Sequence, residues 1–417
     1  MSAKPETTRR GRPWQPLAAL ALLALLRCEG PAAARPPRPR PVPCPAASRA
    51  FTAEGLLRPT LRRVLARRFA PQLRFNAWVP DDPSPQNRNE DFFPMGVARF
   101  LKEVASGRVR VLAEPSRGAA PGVSAVRPWR EALRLEGAVL AGFPRDLVGD
   151  APGEAPVYVH VLEDPRHRRV DEAGRGELVV WIEYWLFYPM DRCEPVVLGH
   201  HLTGEADRFG HRGDWEHTSF RVRVLLDEGG ALASARLVAG RFYGHDRCFE
   251  VPADELRYAS DHPVVFVSQG KHASYPAPGR FELVPLPAWL AAHTDVFRGN
   301  GVRVDTWRGP LIDLEDVAGA EEELAPEPWR ALAPEPADWT HFLGRWGPDR
   351  MARIELGGKV FALGLSPSAP RAKSTWGDLG DGPATPWTEF VREHRGGRLT
   401  LFDRDPAPVR PAPTPRR

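Results

Sequence analysis

The stretch Glu177–Tyr188 (ELVVWIEYWLFY) limits the fold more than any other part of the chain. β-Branched and aromatic residues fill it almost throughout, so it reads as a strand buried on both faces. Such a strand needs a packed layer on each side. The 417 residues are enough for one large domain or two ordinary ones. The 46 prolines are spread along the chain and favour loops and short strands over long helices. Thirteen Trp add large, rigid packing area suited to a β-rich core.

Further strands are expected at His217–Leu226, which alternates cleanly, at Ala235–Tyr243 and at Pro263–Ser268. Gly, Pro and Asp clusters punctuate them. Helical spacing occurs in Leu56–Phe69 and Pro94–Val104, and Pro287–His293 suits a short helix with proline in its first turn. The expected architecture is mainly β: a jelly-roll-like β-sandwich with long loops and a few short peripheral helices, one domain over residues 56–404.

The ends differ from this middle. Arg9, Arg10 and Arg12 precede the apolar run Leu17–Leu26, and Ala32-Ala33-Ala34 follows. A charged start, a short apolar stretch and small residues describe a signal peptide over residues 1–34. The run falls short of the roughly 20 apolar residues that span a bilayer. The protein is therefore expected to be exported: secreted, periplasmic or, through Cys28, lipid-anchored in the cell envelope. Arg27 fits a lipidation site poorly. Residues 35–55 read as a Pro/Arg-rich linker and 405–417 as a disordered tail. The leader carries most of the formal charge of +4. The remaining Arg residues are interleaved with acids, which excludes a basic face for nucleic acid. Arg far exceeds Lys, a bacterial trait of composition. An exported chain permits disulfides, and Cys193 and Cys248, both preceded by Asp-Arg, form a candidate bridge.

The densest chemistry lies in Gly210-His211-Arg212-Gly213-Asp214-Trp215-Glu216-His217. If a strand begins near Asp214, then Asp214, Glu216, Thr218, Phe220, Val222 and Val224 share one face, and the apolar members mark it as inward. Two inward carboxylates need a cation, a shared proton or strong donors. A hard divalent cation, Ca²⁺ or Mg²⁺ rather than Zn²⁺, held by His211, Asp214 and Glu216 with Asp207 or Glu205 from the preceding loop, is one answer. The plain alternative is a turn cap at Asp214 and a surface His211. Lys271 and His272 in the loop after Pro263–Ser268, and His245 at another strand end, are candidate ligand contacts or ordinary turn residues. Glu183, inside the apolar run, is either outward-facing or paired with a cation. Gly-x-Ser-x-Gly, His-Glu-x-x-His and P-loop motifs are absent.

Several blocks resemble, in order, the vacuolar protein sorting-associated protein 62 family. They are Phe69–Phe75, Asp91–Val97, Tyr184–Pro189, Gly213–His217, Pro263–Tyr275, Arg345-Trp346-Gly347 and Trp376-Gly377-Asp378 with Gly382-Pro383. That resemblance implies one domain and no particular activity. Gly210–Glu216 is also similar to a heptad of necrosis-inducing, ethylene-inducing-peptide-like secreted proteins. There the matching residues, His211, Asp214 and Glu216 here, hold a divalent cation used for lipid-headgroup recognition. Gly213 stands where that family has a second His, and Asp207 is the nearest match to its upstream Asp. Three functions are consistent with these features. One is a cation-dependent binding module for lipid headgroups or glycans at a cell surface. Another is a metal-dependent hydrolase of phosphodiester or ester bonds, with Glu216 or His272 as base. The third is a structural envelope protein.

Overall fold

A computed structural model describes residues 50, 57–79, 90–113, 138–192, 196–197, 200–201, 210–282, 294–315, 339–347, 352–363 and 367–402, apart from positions 142, 144, 145, 246, 341, 343, 357, 358 and 396. The expected leader, the tail from 405, Cys193, Glu205, Asp207 and the segment Pro287–His293 lie outside these residues, as does most of the expected linker. All described residues fall within one compact unit, Pro41–Arg417.

Helix α1 (Pro59–Phe69) starts on proline, whose fixed φ suits the first turn. It buries Leu61, Leu65 and Phe69 at helical spacing. Strand β1 (Gln72–Arg74) follows it. Helix α2 (Val97–Ala105) buries Val97, Phe100 and Leu101, and the pair β2 (Arg110–Ala113) and β3 (Ala138–Ala141) comes next.

The long strands are β4 (Val157–Val170), β5 (Gly176–Asp191), β8 (His211–Leu226), β9 (Leu232–Gly244) and β10 (Arg247–Pro252). A two-residue pair, β6 (Val196–Val197) and β7 (His200–His201), interrupts them. Short strands complete the chain: β11 (Tyr258–Ala259), β12 (His262–Val267), β13 (Ser274–Tyr275), β14 (Gly279–Glu282), β15 (Thr294–Phe297), β16 (Arg303–Asp305) and β17 (Leu311–Asp313). After them come β18 (Ala352–Leu356), β19 (Lys359–Leu363), β20 (Thr385–Pro386), helix α3 (Trp387–His394) and β21 (Leu399–Leu401).

The central sheet has the order β17-β4-β5-β8-β9-β10-β20. Its five long strands form an antiparallel meander, and β17 and β20 join the edges in parallel. β5 is an interior strand of this sheet, and its residues from Leu178 to Met190 are all buried, as the apolar run predicts. Its even-numbered side chains (Leu178, Val180, Ile182, Tyr184, Leu186 and Tyr188) join the main core with Phe220, Val222 and Val224 of β8. Strands β1 and β12 of a second sheet, together with α1 and α3, contribute to this core. The hydroxyl of Tyr184 donates to the Ala66 carbonyl at 2.7 Å and ties α1 to β5. The odd-numbered side chains Trp185 and Phe187 belong to another cluster on the opposite face, with Trp215, Trp339, Trp346 and α2. Two buried faces and two covering layers make the fold mainly β, with few short helices.

One irregularity positions the site. β5 and β8 pair without a shift from Gly176↔Leu226 to Asp191↔His211. The β8–β9 ladder stops at Thr218↔Phe242, although β9 continues beside β10 to Gly244. The first seven residues of β8 therefore run on with β5 alone, and the sheet opens between the ends of β8 and β9.

Candidate functional site

Asp214 lies opposite Tyr188, on the face that carries Phe220, Val222 and Val224 into the main core. Strand alternation puts Glu216 on the same face, roughly 7 Å along the chain. Gly213 makes this approach possible. Its φ is +65°, and a Cβ there would lie 2.2 Å from the Trp346 carbonyl oxygen. Gly213→Ala is thus expected to cost at least about 1–3 kcal/mol, from left-handed strain and a clash with backbone. A melting temperature within 1 °C of the parent would refute this.

The turn after β12 closes over Asp214. Gly270 and His272 both have positive φ, and the His272 amide donates to the Ser268 carbonyl at 2.9 Å. This geometry drives Lys271 and His272 inward, and both are buried. The His272 ring stacks on Tyr188 at 3.8 Å. Its Nδ1 lies 3.3 Å from Asp214 Oδ2, and its Nε2 lies 3.9 Å from Glu90 Oε1. Glu90 in turn accepts the backbone amides of Asp91, Phe92 and Gly270. An imidazole is thus clamped between two buried carboxylates. Burial is the largest single influence on His272 and favours the neutral ring. The pairing with Asp214 and Glu90 outweighs it and pushes the pKa up to about 10. Burial likewise opposes ionisation of Asp214 and Glu90, and His272 holds both below their ordinary values.

A second charge cluster adjoins the first. Asp295 is fully buried and accepts from the Tyr275 hydroxyl at 2.5 Å, with His245 Nε2 at 3.1 Å and Lys271 Nζ at 3.4 Å. His245, exposed at the end of β9, has φ +58°. Burial of its ring opposes the charge, but Asp295 wins and raises its pKa to about 9. His211 faces Asp191 across the β5–β8 ladder, with Nε2 3.3 Å from Oδ2.

Glu216 completes the set and differs from the rest. It is half-buried and makes no hydrogen bond or ion pair among the described residues. Burial first, and the charge of Asp214 second, raise its pKa to about 8. Lys373, His245 and His272 oppose that rise without cancelling it. At neutral pH Glu216 is therefore a carboxylic acid beside an ionised Asp214. The Tyr188 hydroxyl and His272 Nε2 are also buried, with no hydrogen-bond partner among the described residues, so the site keeps spare bonding capacity.

Of the four expected metal ligands, His211, Asp214 and Glu216 are described and Asp207 lies outside the described residues. His211 turns one ring nitrogen to Asp191 and the other to the Gly213 carbonyl, and Asp214 is taken by His272. Among the described residues no group of three or more His, Cys, Asp or Glu is placed to hold a metal ion. Of the other expected contacts, Lys271, His272 and His245 do gather at this cluster. Cys248 is half-buried and bonds no cysteine among the described residues, and its expected partner Cys193 lies outside them. Glu183 is buried and bonded to His160 Nδ1, Trp185 Nε1 and the Gly377 amide.

Sequence reasoning missed Glu90, Asp295 and Lys373. Glu90 directly precedes the block Asp91–Val97, and Asp295 stands alone in a short strand, with no neighbouring motif to mark it. Lys373 reaches the site from a distant segment and donates to the Trp215 carbonyl on the open edge of β8.

Fold and site together define a mainly-β protein with a buried carboxylate–imidazole cluster at the opened end of its central sheet. The family model described as vacuolar protein sorting-associated protein 62 matches residues 158–356, just under half of the chain, and supports its resemblance to that family. The matched region holds Asp214, Glu216, His245, Lys271, His272 and Asp295, while Glu90 and Lys373 lie outside it. No curated protein and no solved structure matches the chain. Among the described residues no helix is long and apolar enough to cross a membrane.

Proposed function

We propose that this chain is an exported binding module for the polyhydroxylated or anionic headgroup of a cell-surface glycan or membrane lipid. The ligand is taken at the opening between β8 and β9. The observation that carries this reading is Glu216: a half-buried carboxyl with no hydrogen-bond or ion-pair partner among the described residues, set among groups that are already paired. As an acid it donates one hydrogen bond to the ligand. Asp214, Glu90, Asp191 and Asp295 each have an imidazole or ammonium partner. Recognition therefore needs no bridging cation, in contrast to the cation-dependent module expected from the heptad.

Binding of the full chain to glycan arrays and to vesicles of mixed lipid composition, with and without a chelator, tests this. Binding that persists in chelator and falls tenfold or more in Glu216→Ala is expected. Binding abolished by chelator and restored by Ca²⁺ or Mg²⁺ would replace this reading with the cation-bridged one.

A second reading has its own support. A raised Glu216 beside a depressed Asp214 is the pairing from which acid catalysts of hydrolysis are built. His272, held protonated, is unsuited to act as the base at neutral pH. Release of product from a bound glycan or ester during the same assay would favour this reading over binding alone.

A further inference from the structure

The other face of β8 carries a different chemistry. His217 lies opposite Trp185 in the ladder, and its ring is sandwiched between Trp185 and Tyr243, each 3.9 Å away. It is 4% exposed, and its Nε2 has no hydrogen-bond partner. A buried ring nitrogen without a partner is uncommon in a settled core. The Tyr243 hydroxyl is within 3.3 Å of Ser219 Oγ. Lys373 Nζ sits 5.9 Å from the Trp185 ring and spends one of its three donors on the Trp215 carbonyl.

The acidic groups on this face are already taken. Glu183 accepts from Trp185 and the Gly377 amide and pairs with His160. Asp378 pairs with Arg241 and accepts the amides of Gly380, Asp381 and Gly382. Glu250 pairs with Arg241. What remains beside Trp185 is the ammonium of Lys373, with donors to spare, and the unpartnered ring nitrogen of His217, which carries an N–H in one tautomer. Donors without acceptors in a sheltered place suit an oxyanion.

We propose that Lys373 and His217 form an oxyanion site at the β8–β9 opening, on the side opposite Glu216, and that its ligand is a phosphate group. Lys373 supplies the charge. His217 supplies a directed N–H, and Trp185 and Tyr243 hold its ring in place. The site does not depend on the Glu216 reading. A lipid headgroup and a small soluble phosphate present the same chemistry to it.

The test titrates the full chain with inorganic phosphate and follows the histidine ring resonances by NMR. A saturable shift of the His217 ring is expected, with its titration midpoint raised by at least one pH unit. Lys373→Met and His217→Phe, the latter keeping the aromatic stack, should each weaken phosphate binding tenfold or more. Glu216→Gln should leave it within twofold, which separates this site from the other. Vesicles containing phosphatidic acid and soluble glycerol phosphate then identify the source. Tighter binding of the vesicles assigns a headgroup, equal affinity assigns a soluble phosphate, and either supports the site. No saturable shift at tens of millimolar phosphate, or a shift unchanged in folded Lys373→Met, would overturn it.

Discussion

Replacing His272 with alanine is expected to remove about 3–5 kcal/mol of stability, because it leaves two buried carboxylates without their shared counter-charge. Asp214 and Glu90 are both nearly inaccessible, and His272 is the group that lies between them. Alanine also loses the stack on Tyr188 while keeping a left-handed φ that it tolerates poorly. His272→Phe keeps the stack and loses only the charge, so the difference between the two variants separates packing from electrostatics. The effect should depend on pH at both ends. The pKa of His272 is raised by folding, so its stabilisation is whole below about 6.5 and is lost as pH rises through about 10. Asp214 and Glu90 are held below their ordinary values, so their share is present above about 4.5 and is lost in acid. Urea unfolding between pH 4 and pH 10 should thus show the largest gap between parent and variant near neutrality. A gap below 1 kcal/mol at pH 7 would mean that the clamp is not a structural element of the site.

Much of this fold can be read from residue pattern because it rests on long, strongly apolar strands. The run Glu177–Tyr188 marks the interior strand β5 by composition alone, and the alternation from His217 to Leu226 marks its neighbour β8. Strand β4 is hidden because Asp164, Pro165 and three arginines break the apolar rhythm of its second half. Those side chains are held by specific pairs such as Arg166 with Asp164 and Asp381, which no periodicity reveals. The site is legible to the extent that it lies on one strand and one turn. Asp214, Glu216, Lys271 and His272 stand in compact motifs, whereas Glu90, Asp295 and Lys373 arrive singly from distant parts of the chain. That difference changes the chemistry inferred. Two carboxylates and an imidazole within six residues suggest a cation site when seen alone. Once His272 is added, Asp214 has a protein partner, while Glu216 keeps its proton beside it.

Glu216→Gln gives the sharpest pH signature available in this chain. Folding raises the Glu216 pKa to about 8, from an ordinary value of 4.5. Between those values the native state keeps a proton that the unfolded chain releases, so Glu216 makes stability fall as pH rises through this window and then level off above it. Glutamine has the shape of the protonated acid and never ionises. The variant should therefore melt with the parent at pH 5 and be more stable at pH 9, by on the order of 2 kcal/mol or a few degrees. Ligand binding should follow the same proton. If the acid form donates the recognising hydrogen bond, parent affinity falls as pH rises through about 8, while the glutamine variant, which retains an N–H donor, holds its affinity flat. A stabilisation equal at pH 5 and pH 9 would show that Glu216 does not carry the proton. A binding profile that falls identically in both proteins would assign the titrating donor to His245, whose pKa of about 9 is the next above it.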